Sequence, residues 1–343
     1  MDKPDIKELS FTKLEDELAR LGEEPYRARQ LFGWLYKRGA FSFDDMTDLP
    51  DGTRKALKSN FRISVCKMLD SKRSRLDGTT KYLLGLDDGN AIEAVFLPDR
   101  RRATACISSQ VGCKYACTFC ASARLGFIRN LAHSEIINEV LFLRFKNSIP
   151  PITNIVFMGI GEPMDNYDNV IKAIRIFNDK DGLNIGSRRI TISTCGIIPG
   201  IEKLSREGLQ VELSVSLHSA DDTVRSTLVP VNKKYPLKEL MKACKCYTDR
   251  TNRVVTFEYV LIKEINDFKE DAIRLANLLK GMKCKVNAIS YNPASGEGPR
   301  SGTPGVSGFT EILRRRGINA THRRSRGADI DAGCGQLRIS HGR

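Results

Sequence analysis

No apolar stretch in this sequence reaches the roughly eighteen residues that would cross a bilayer as a helix. Nor does an amino-terminal apolar segment precede a small-residue cleavage site. Both absences argue against a membrane-embedded or exported chain and predict a cytoplasmic protein. Internal repeats and low-complexity tracts are also missing, which removes solenoid architectures. Negative charge is in short supply, since 41 Asp and Glu stand against 55 Lys and Arg for a net charge of +14. The excess comes in short runs, among them Lys72/Arg73/Arg75, Arg100–Arg102, Arg188/Arg189, Lys233/Lys234, Arg314–Arg316 and Arg323/Arg324/Arg326. A single run is an ordinary solvated face, but the runs summed along the chain point to a polyanion, and first to nucleic acid.

Disulfide staples are not needed, because 343 residues can bury a sizeable core. Ten cysteines in a cytoplasmic chain therefore suggest metal ligands or catalytic thiols. Cys66, Cys195, Cys244, Cys246 and Cys284 lie in apolar or helical contexts and read as packing residues. Cys106, Cys113, Cys117, Cys120 and Cys334 remain to be explained.

From about Thr104 onward, short β-branched runs alternate with stretches of helical period. TACISS (104–109), NIVFMGI (154–160), RITIST (189–194), VELSVSL (211–217), VVTFEYVLI (254–262) and KVNAISYN (285–292) are the strand candidates. Between them SEIINEVLFLRF, DNVIKAIRIF, IPGIEKLSREG, LKELMKACKCY and FKEDAIRLANLLKGM carry apolar residues at i, i+3, i+4. Two of the strands are apolar on both faces, as in a parallel sheet covered by helices. The class is α/β, and the length fits an incomplete (β/α)6 barrel better than a closed eight-stranded one. Residues 1 to about 65 read as a helical cluster, followed by KYLLGL and AIEAVFL joined at an Asp-Gly turn. The expected division is a small amino-terminal helical domain plus connecting hairpin over residues 1–90 and a core over 91–343. A last helix (GFTEILRRRG) and a short strand lead into GADIDAGCGQL.

Such barrels bind at the carboxyl ends of their strands. There the sequence offers the loop CKYACTFC, then Gly161 and Glu162, Ser193 and Thr194, Ser216 to His218, and Tyr291 with Asn292. In the loop, Cys113, Cys117 and Cys120 lack a fourth thiol. Three thiolates can ligate three corners of a 4Fe-4S cluster and leave the fourth iron for a non-protein ligand. The other readings are a zinc site completed by a remote residue such as His133, and a metal-free cluster of reactive thiols. Taken singly, Glu162 could be a helix amino-terminal charge, His218 a satisfied core histidine, Cys106 a strand cysteine, Cys334 a buried apolar cysteine and Glu93 an exposed hairpin carboxylate.

CKYACTFC resembles the C-x3-C-x2-C signature of the radical S-adenosylmethionine (radical-SAM) superfamily, whose fold is the incomplete (β/α)6 barrel. The wider strings CISSQVGCKYACTFCASARLGFIRNL, FMGIGEP, RRITISTCGIIPGI, SLHSADDTVRSTLVPVNKKYP, EYVLIKEINDF and GADIDAGCGQL are similar to its RNA adenine methyltransferase family, over nearly the whole chain. The resemblance implies that Cys113, Cys117 and Cys120 hold the cluster and that S-adenosylmethionine takes the open iron. Gly161 and Glu162 would meet its amino group, and Ser193, Ser216, Leu217, His218 and Asn292 would complete the pocket.

The resemblance further implies two S-adenosylmethionine molecules per turnover. Cys334 would accept a methyl from one, and the radical from the second would activate that methyl for addition to an adenine. Glu93 would accept the departing proton, and Cys106 would form a disulfide with Cys334 as the product leaves. Implied substrates are 23S rRNA near the peptidyl-transferase centre and tRNA next to the anticodon, methylated at adenine C2. A base whose C2 edge must be reached has to be presented unstacked. A low-potential donor such as flavodoxin or ferredoxin would reduce the cluster, the chain would act as a monomer, and the amino-terminal domain would be helix-hairpin-helix-like. An adenine-C8 methyltransferase conferring antibiotic resistance is the near alternative; Val111, where that relative tends to carry cysteine, and Glu93 lean toward C2. The alternative of another class is a non-catalytic RNA-binding protein with a structural metal.

Overall fold

The computed structural model describes residues 3–100, 102–145, 151–291, 303–323, 326–327 and 329–330. The chain opens with a 3-10 turn Ile6–Glu8, then helices α1 (Phe11–Arg20), α2 (Tyr26–Phe32, continued by a π turn Gly33–Lys37) and α3 (Asp51–Asn60). Ser10 caps α1 by accepting the Lys13 amide. The helices bury Leu14, Leu18, Leu31, Phe32, Leu35 and Leu57, the apolar face expected from the spacing.

Helix α4 (His133–Phe145) is buried along almost its whole length. It lies between the amino-terminal turn and the sheet, so it is apolar on most sides instead of amphipathic. Several of its polar residues have partners. Asn138 accepts from the buried Lys7 Nζ at 2.6 Å and donates to Ser64 Oγ at 2.8 Å. Glu8 accepts the Ser134 amide at 3.0 Å and stands 3.0 Å from His133 Nδ1. The helical unit is thereby hydrogen-bonded to the core, and its apolar residues belong to the same buried cluster as those of the sheet.

The strands are β1 (Lys67–Arg73), β2 (Thr80–Gly85), β3 (Ala91–Asp99), β4 (Arg102–Cys106), β5 (Gln110–Gly112), β6 (Phe127–Asn130), β7 (Asn154–Phe157), β8 (Ile190–Thr194), β9 (Glu212–Ser216), β10 (Val255–Leu261), β11 (Cys284–Ser290) and β12 (Asn319–Arg323). Ten of them form one sheet in the order β1-β2-β3-β4-β7-β8-β9-β10-β11-β12. Pairing is antiparallel from β1 to β4 and parallel from β4 to β12. Helices α5 (Tyr167–Asn178), α6 (Ile198–Leu204), α7 (Asp222–Leu228), α8 (Leu237–Thr251), α9 (Lys269–Leu278) and α10 (Thr303–Arg315) make the crossovers. All six expected strand regions are present, as are their helices.

The expected border at residue 90 falls in the turn of the β2–β3 hairpin, whose strands pair from Thr80↔Phe96 to Gly85↔Ala91 and continue into β4. The hairpin is part of the sheet. Sequence patterning missed β1, an exposed edge strand, and the separate β5–β6 ribbon around the cysteine loop. It also missed α7, whose DTVRSTL has no apolar period but whose amino terminus is capped by Asp221 accepting from Thr223 and Val224. Cys246 is a correction to the packing group, because it lies exposed on α8.

Among the described residues β12 pairs only with β11, so the barrel stays open on one side. Residues after β12 cross that gap toward the β1–β2 turn. Arg326 donates to the Pro98 carbonyl and lies 3.4 Å from Asp99. The Gly327 amide donates to Asp77 Oδ2 at 3.0 Å, and Asp329 accepts from Ser74 Oγ at 2.6 Å and the Arg75 amide at 2.9 Å. No helix among the described residues is long and apolar enough to cross a membrane.

Candidate active site at the mouth of the barrel

The cysteine loop is closed by the β5–β6 ribbon, where Gly112 faces Phe127 and the Cys113 amide donates to the Gly126 carbonyl at 2.9 Å. Inside it the Cys120 amide donates to the Cys117 carbonyl at 3.1 Å, and the Thr118 amide reaches the Leu228 carbonyl at the end of α7 at 3.0 Å. Tyr115 donates to Asp165 at 3.0 Å, and Lys114 pairs with the same carboxylate at 2.8 Å. Burial pushes the Cys113 thiol up to about 12 and raises Cys117 as well, and the neighbouring thiols of the loop add to both shifts.

Among the described residues no three His, Cys, Asp or Glu side chains could share a single metal ion. His133 is turned to Glu8, so it does not complete a zinc site with the loop. A 4Fe-4S core places each thiolate on its own iron and needs a wider triangle. Three soft, half-buried sulfur donors on one braced loop suit three corners of such a core.

The strand ends converge beside the loop. Gly161 has φ +107°, and a Cβ there would lie 2.6 Å from Gln110 Cβ and 2.7 Å from the Gln110 amide, so only glycine lets the two segments touch. The Glu162 amide donates to Gln110 Oε1 at 2.9 Å. Its buried carboxylate accepts the Met164 amide at 3.0 Å and the Cys195 amide at 2.7 Å. Burial raises the Glu162 pKa while those hydrogen bonds oppose the shift. Cys195 is thus not simple packing, since its thiol also bonds to Glu162.

Ser193 and Ser216 each lie two residues beyond Thr191 and Ser214, cavity-lining residues of β8 and β9, and so share their face. The Leu217 side chain instead fills the core; its amide donates to the Glu258 carbonyl at 3.0 Å and its own carbonyl takes Arg225 Nε at 3.1 Å. His218, with φ +59°, accepts the Val260 amide on Nδ1 at 3.0 Å. The proton therefore sits on Nε2, which is buried and has no partner among the described residues. Phe119 of the thiol loop meets the His218 ring edge-on at 4.4 Å. Asn292 and Cys334 lie outside the described residues.

Burial, and secondarily the Arg225 charge, lower the His218 pKa to about 3 from an ordinary 6.5. Between those values the unfolded chain binds the extra proton, so stability falls as pH drops through the window. The loss at pH 5 is about 2 kcal/mol. Urea unfolding should show the wild-type stability dropping by that much from pH 7 to 5 relative to His218→Asn, since asparagine tolerates the left-handed backbone. Equal pH profiles for the two proteins would contradict this.

The barrel encloses a cavity of about 640 Å³ whose wall includes Cys106, Val95, Phe119, Glu258 and Tyr291. Cys106 is buried and pairs across β3–β4 with Val95. Glu93, two residues before Val95 on the same strand face, is not the exposed hairpin carboxylate that spacing alone allows. It is 2% exposed and ion-paired at 3.1 Å with Lys81, itself fully buried. Sequence reasoning missed Lys81 and Arg225, since a lone charge in a strand or helix carries no sign of its burial.

Residues 107–277 match the model of the radical SAM superfamily, and residues 5–63 match the model described as the ribosomal RNA large subunit methyltransferase N-terminal domain. The chain is 47% identical to the probable dual-specificity RNA methyltransferase RlmN of Thermoanaerobacter sp. (strain X514), covering 97% of each. It is 48% identical to the protein of that name from Thermotoga maritima, covering 97% of this chain and 96% of the relative. The solved structure of a radical SAM methyltransferase from Sphaerobacter thermophilus superposes with a TM-score of 0.92 at 43% identity, covering 97% of this chain and 98% of that one.

Proposed function

The chain belongs to the RlmN family of radical-SAM RNA methyltransferases, and on that premise we propose that it methylates C2 of adenosine in both 23S rRNA and tRNA. One observation carries the reading furthest. Phe119, from the thiol loop, and Cys106, outside it, line the same cavity. Phe119 brings the thiol loop to the wall of the chamber that Cys106 lines, which supports a radical site beside that thiol.

Cys113, Cys117 and Cys120 would hold a 4Fe-4S cluster, which supplies one-electron reductive cleavage of the sulfonium of S-adenosylmethionine. Around it, His218 presents a neutral Nε2–H donor with no partner among the described residues. Glu162 brings a desolvated carboxylate toward the ligand's ammonium, and Gly161 lets the backbone come close. Ser193, Ser216 and Asn292 are proposed as further cofactor contacts; Leu217 is proposed to serve by packing, since both its backbone polar groups are engaged.

Cys334 is proposed as the methyl carrier and Cys106 as the thiol that resolves the RNA adduct by disulfide formation, with two S-adenosylmethionine molecules used per turnover. Support comes from the match to the RlmN relatives, which spans 97% of the chain. Glu93 is proposed to take the C2 proton, with Lys81 ion-paired to its carboxylate at 3.1 Å. A low-potential protein such as flavodoxin or ferredoxin is the proposed reductant, and the chain is proposed to act as a cytoplasmic monomer.

The decisive assay incubates anaerobically reconstituted enzyme, S-adenosylmethionine and reductant with protein-free 23S rRNA fragments and with tRNA. Nucleoside mass spectrometry should find 2-methyladenosine in both. Finding 8-methyladenosine would overturn the C2 reading, and a protein that takes up zinc but no iron or sulfide would overturn the radical one.

A further inference from the structure

Arg225 is fully buried. Its guanidinium donates from Nε to the Leu217 carbonyl at 3.1 Å, from Nη1 to Asn232 Oδ1 at 2.6 Å, and from Nη2 to the Cys195 carbonyl at 2.8 Å and the Ser216 carbonyl at 3.2 Å. Every one of those acceptors is neutral. Among the described residues no carboxylate lies within ion-pair distance of it; Asp222 is reached only through Asn232, whose Nδ2 donates to Asp222 Oδ1 at 2.8 Å. A buried guanidinium satisfied in hydrogen bonds but not in charge is costly, and such charges are ordinarily paired.

Its position suggests what balances it. Arg225 sits on α7, whose Leu228 carbonyl accepts from Thr118 in the middle of the thiol loop. Its charge acts on the Cys117 and Cys195 sulfurs. Three thiolates around a doubly positive 4Fe-4S core carry one net negative charge, and two once an electron is added. A fixed positive charge in a low-dielectric site favours the more negative state, and cluster potentials respond to local charge, hydrogen bonding and exposure.

We propose that Arg225 is the buried counter-charge of the cluster site, raising the reduction potential so that a one-electron donor can reduce it. The electron comes from that donor, and no bond or proton changes at Arg225. This rests on the three-thiol reading of the loop, so iron and sulfide in the wild-type protein test that reading separately. Arg225 is a positioning and charge-setting residue, its donors spent on backbone carbonyls and the Asn232 side chain.

The test uses reconstituted wild type, Arg225→Lys and Arg225→Met, with iron and sulfide counted per chain and midpoint potentials taken from redox titrations followed by electron paramagnetic resonance. Arg225→Met should titrate lower, so that at the wild-type midpoint the reduced-to-oxidised ratio falls about tenfold, equivalent to about 60 mV. Arg225→Lys keeps the charge and should stay near the wild-type value. Should Arg225→Met fail to fold, Arg225→Gln removes the charge while leaving amide donors for the carbonyls and serves in its place. A neutral variant with full iron and an unchanged midpoint would overturn the proposal. So would Arg225→Lys falling as far as the neutral variant, because hydrogen-bond geometry and not charge would then set the potential.

Discussion

Gly112→Ala is expected to abolish iron loading while the rest of the chain stays folded. Gly112 holds φ +82°, and a Cβ there would lie 1.7 Å from the Gly126 carbonyl oxygen. That oxygen accepts the Cys113 amide in the bond that closes the thiol loop. The new methyl cannot be accommodated without opening the β5–β6 ribbon. The left-handed backbone costs about 1–2 kcal/mol for a residue with a Cβ, and the lost hydrogen bond about 1 more. Together these correspond to a loss of about 30–150-fold in closed-loop population, and the steric overlap adds to it. The ribbon is separate from the ten-stranded sheet, so the penalty stays local. Iron and sulfide analysis after anaerobic reconstitution should find less than about a tenth of wild-type loading, with far-ultraviolet circular dichroism and thermal midpoint little changed. Full loading would show that the loop tolerates opening at this point.

The second large effect concerns the buried Lys81–Glu93 pair. Lys81→Met removes the ammonium 3.1 Å from Glu93 and leaves the carboxylate in a site that is 2% exposed. Breaking a buried pair from one side costs about 3–5 kcal/mol, whereas replacing both partners with neutral groups is often close to neutral. Urea unfolding should therefore show both Lys81→Met and Glu93→Gln strongly destabilised and the double variant largely recovered. Activity separates packing from chemistry. If Glu93 takes the C2 proton, the double variant should fold and load iron yet form 2-methyladenosine at least about a hundredfold more slowly, within the range ascribed to a general base. A double variant with wild-type turnover would reduce the pair to a structural feature.

Much of the architecture was legible along the chain. The β-branched runs at 154–160, 189–194, 211–217, 254–262 and 285–292 each coincide with an observed strand, because one face of every strand packs under the helices and is apolar there, as with Ile155, Ile192, Leu213, Phe257 and Val286. The Asp-Gly turn marked the β2–β3 hairpin through local backbone preference alone. By contrast α7 was hidden, since its seven residues are held by the Asp221 cap and by Arg225, neither of which leaves an apolar period. Edge strand β1 was hidden as well, because an exposed strand has no apolar face to read.

By itself the sequence determined the chemistry that fits within one loop: three thiols at fixed spacing, the absence of a fourth, and the glycines that permit the loop's backbone. Such features are local, and neighbouring residues along the chain cannot drift apart. Tertiary structure decided which charges lose their water. Lys81 and Glu93 are twelve residues apart in sequence and meet across adjacent strands, because Leu83 is the register partner of Glu93. His218 is held neutral by burial under a loop nearly a hundred residues upstream, and Arg225 is enclosed by the ends of β8 and β9. Desolvation is set by everything packed around a group from all directions, and that is a property of the fold which no stretch of sequence carries.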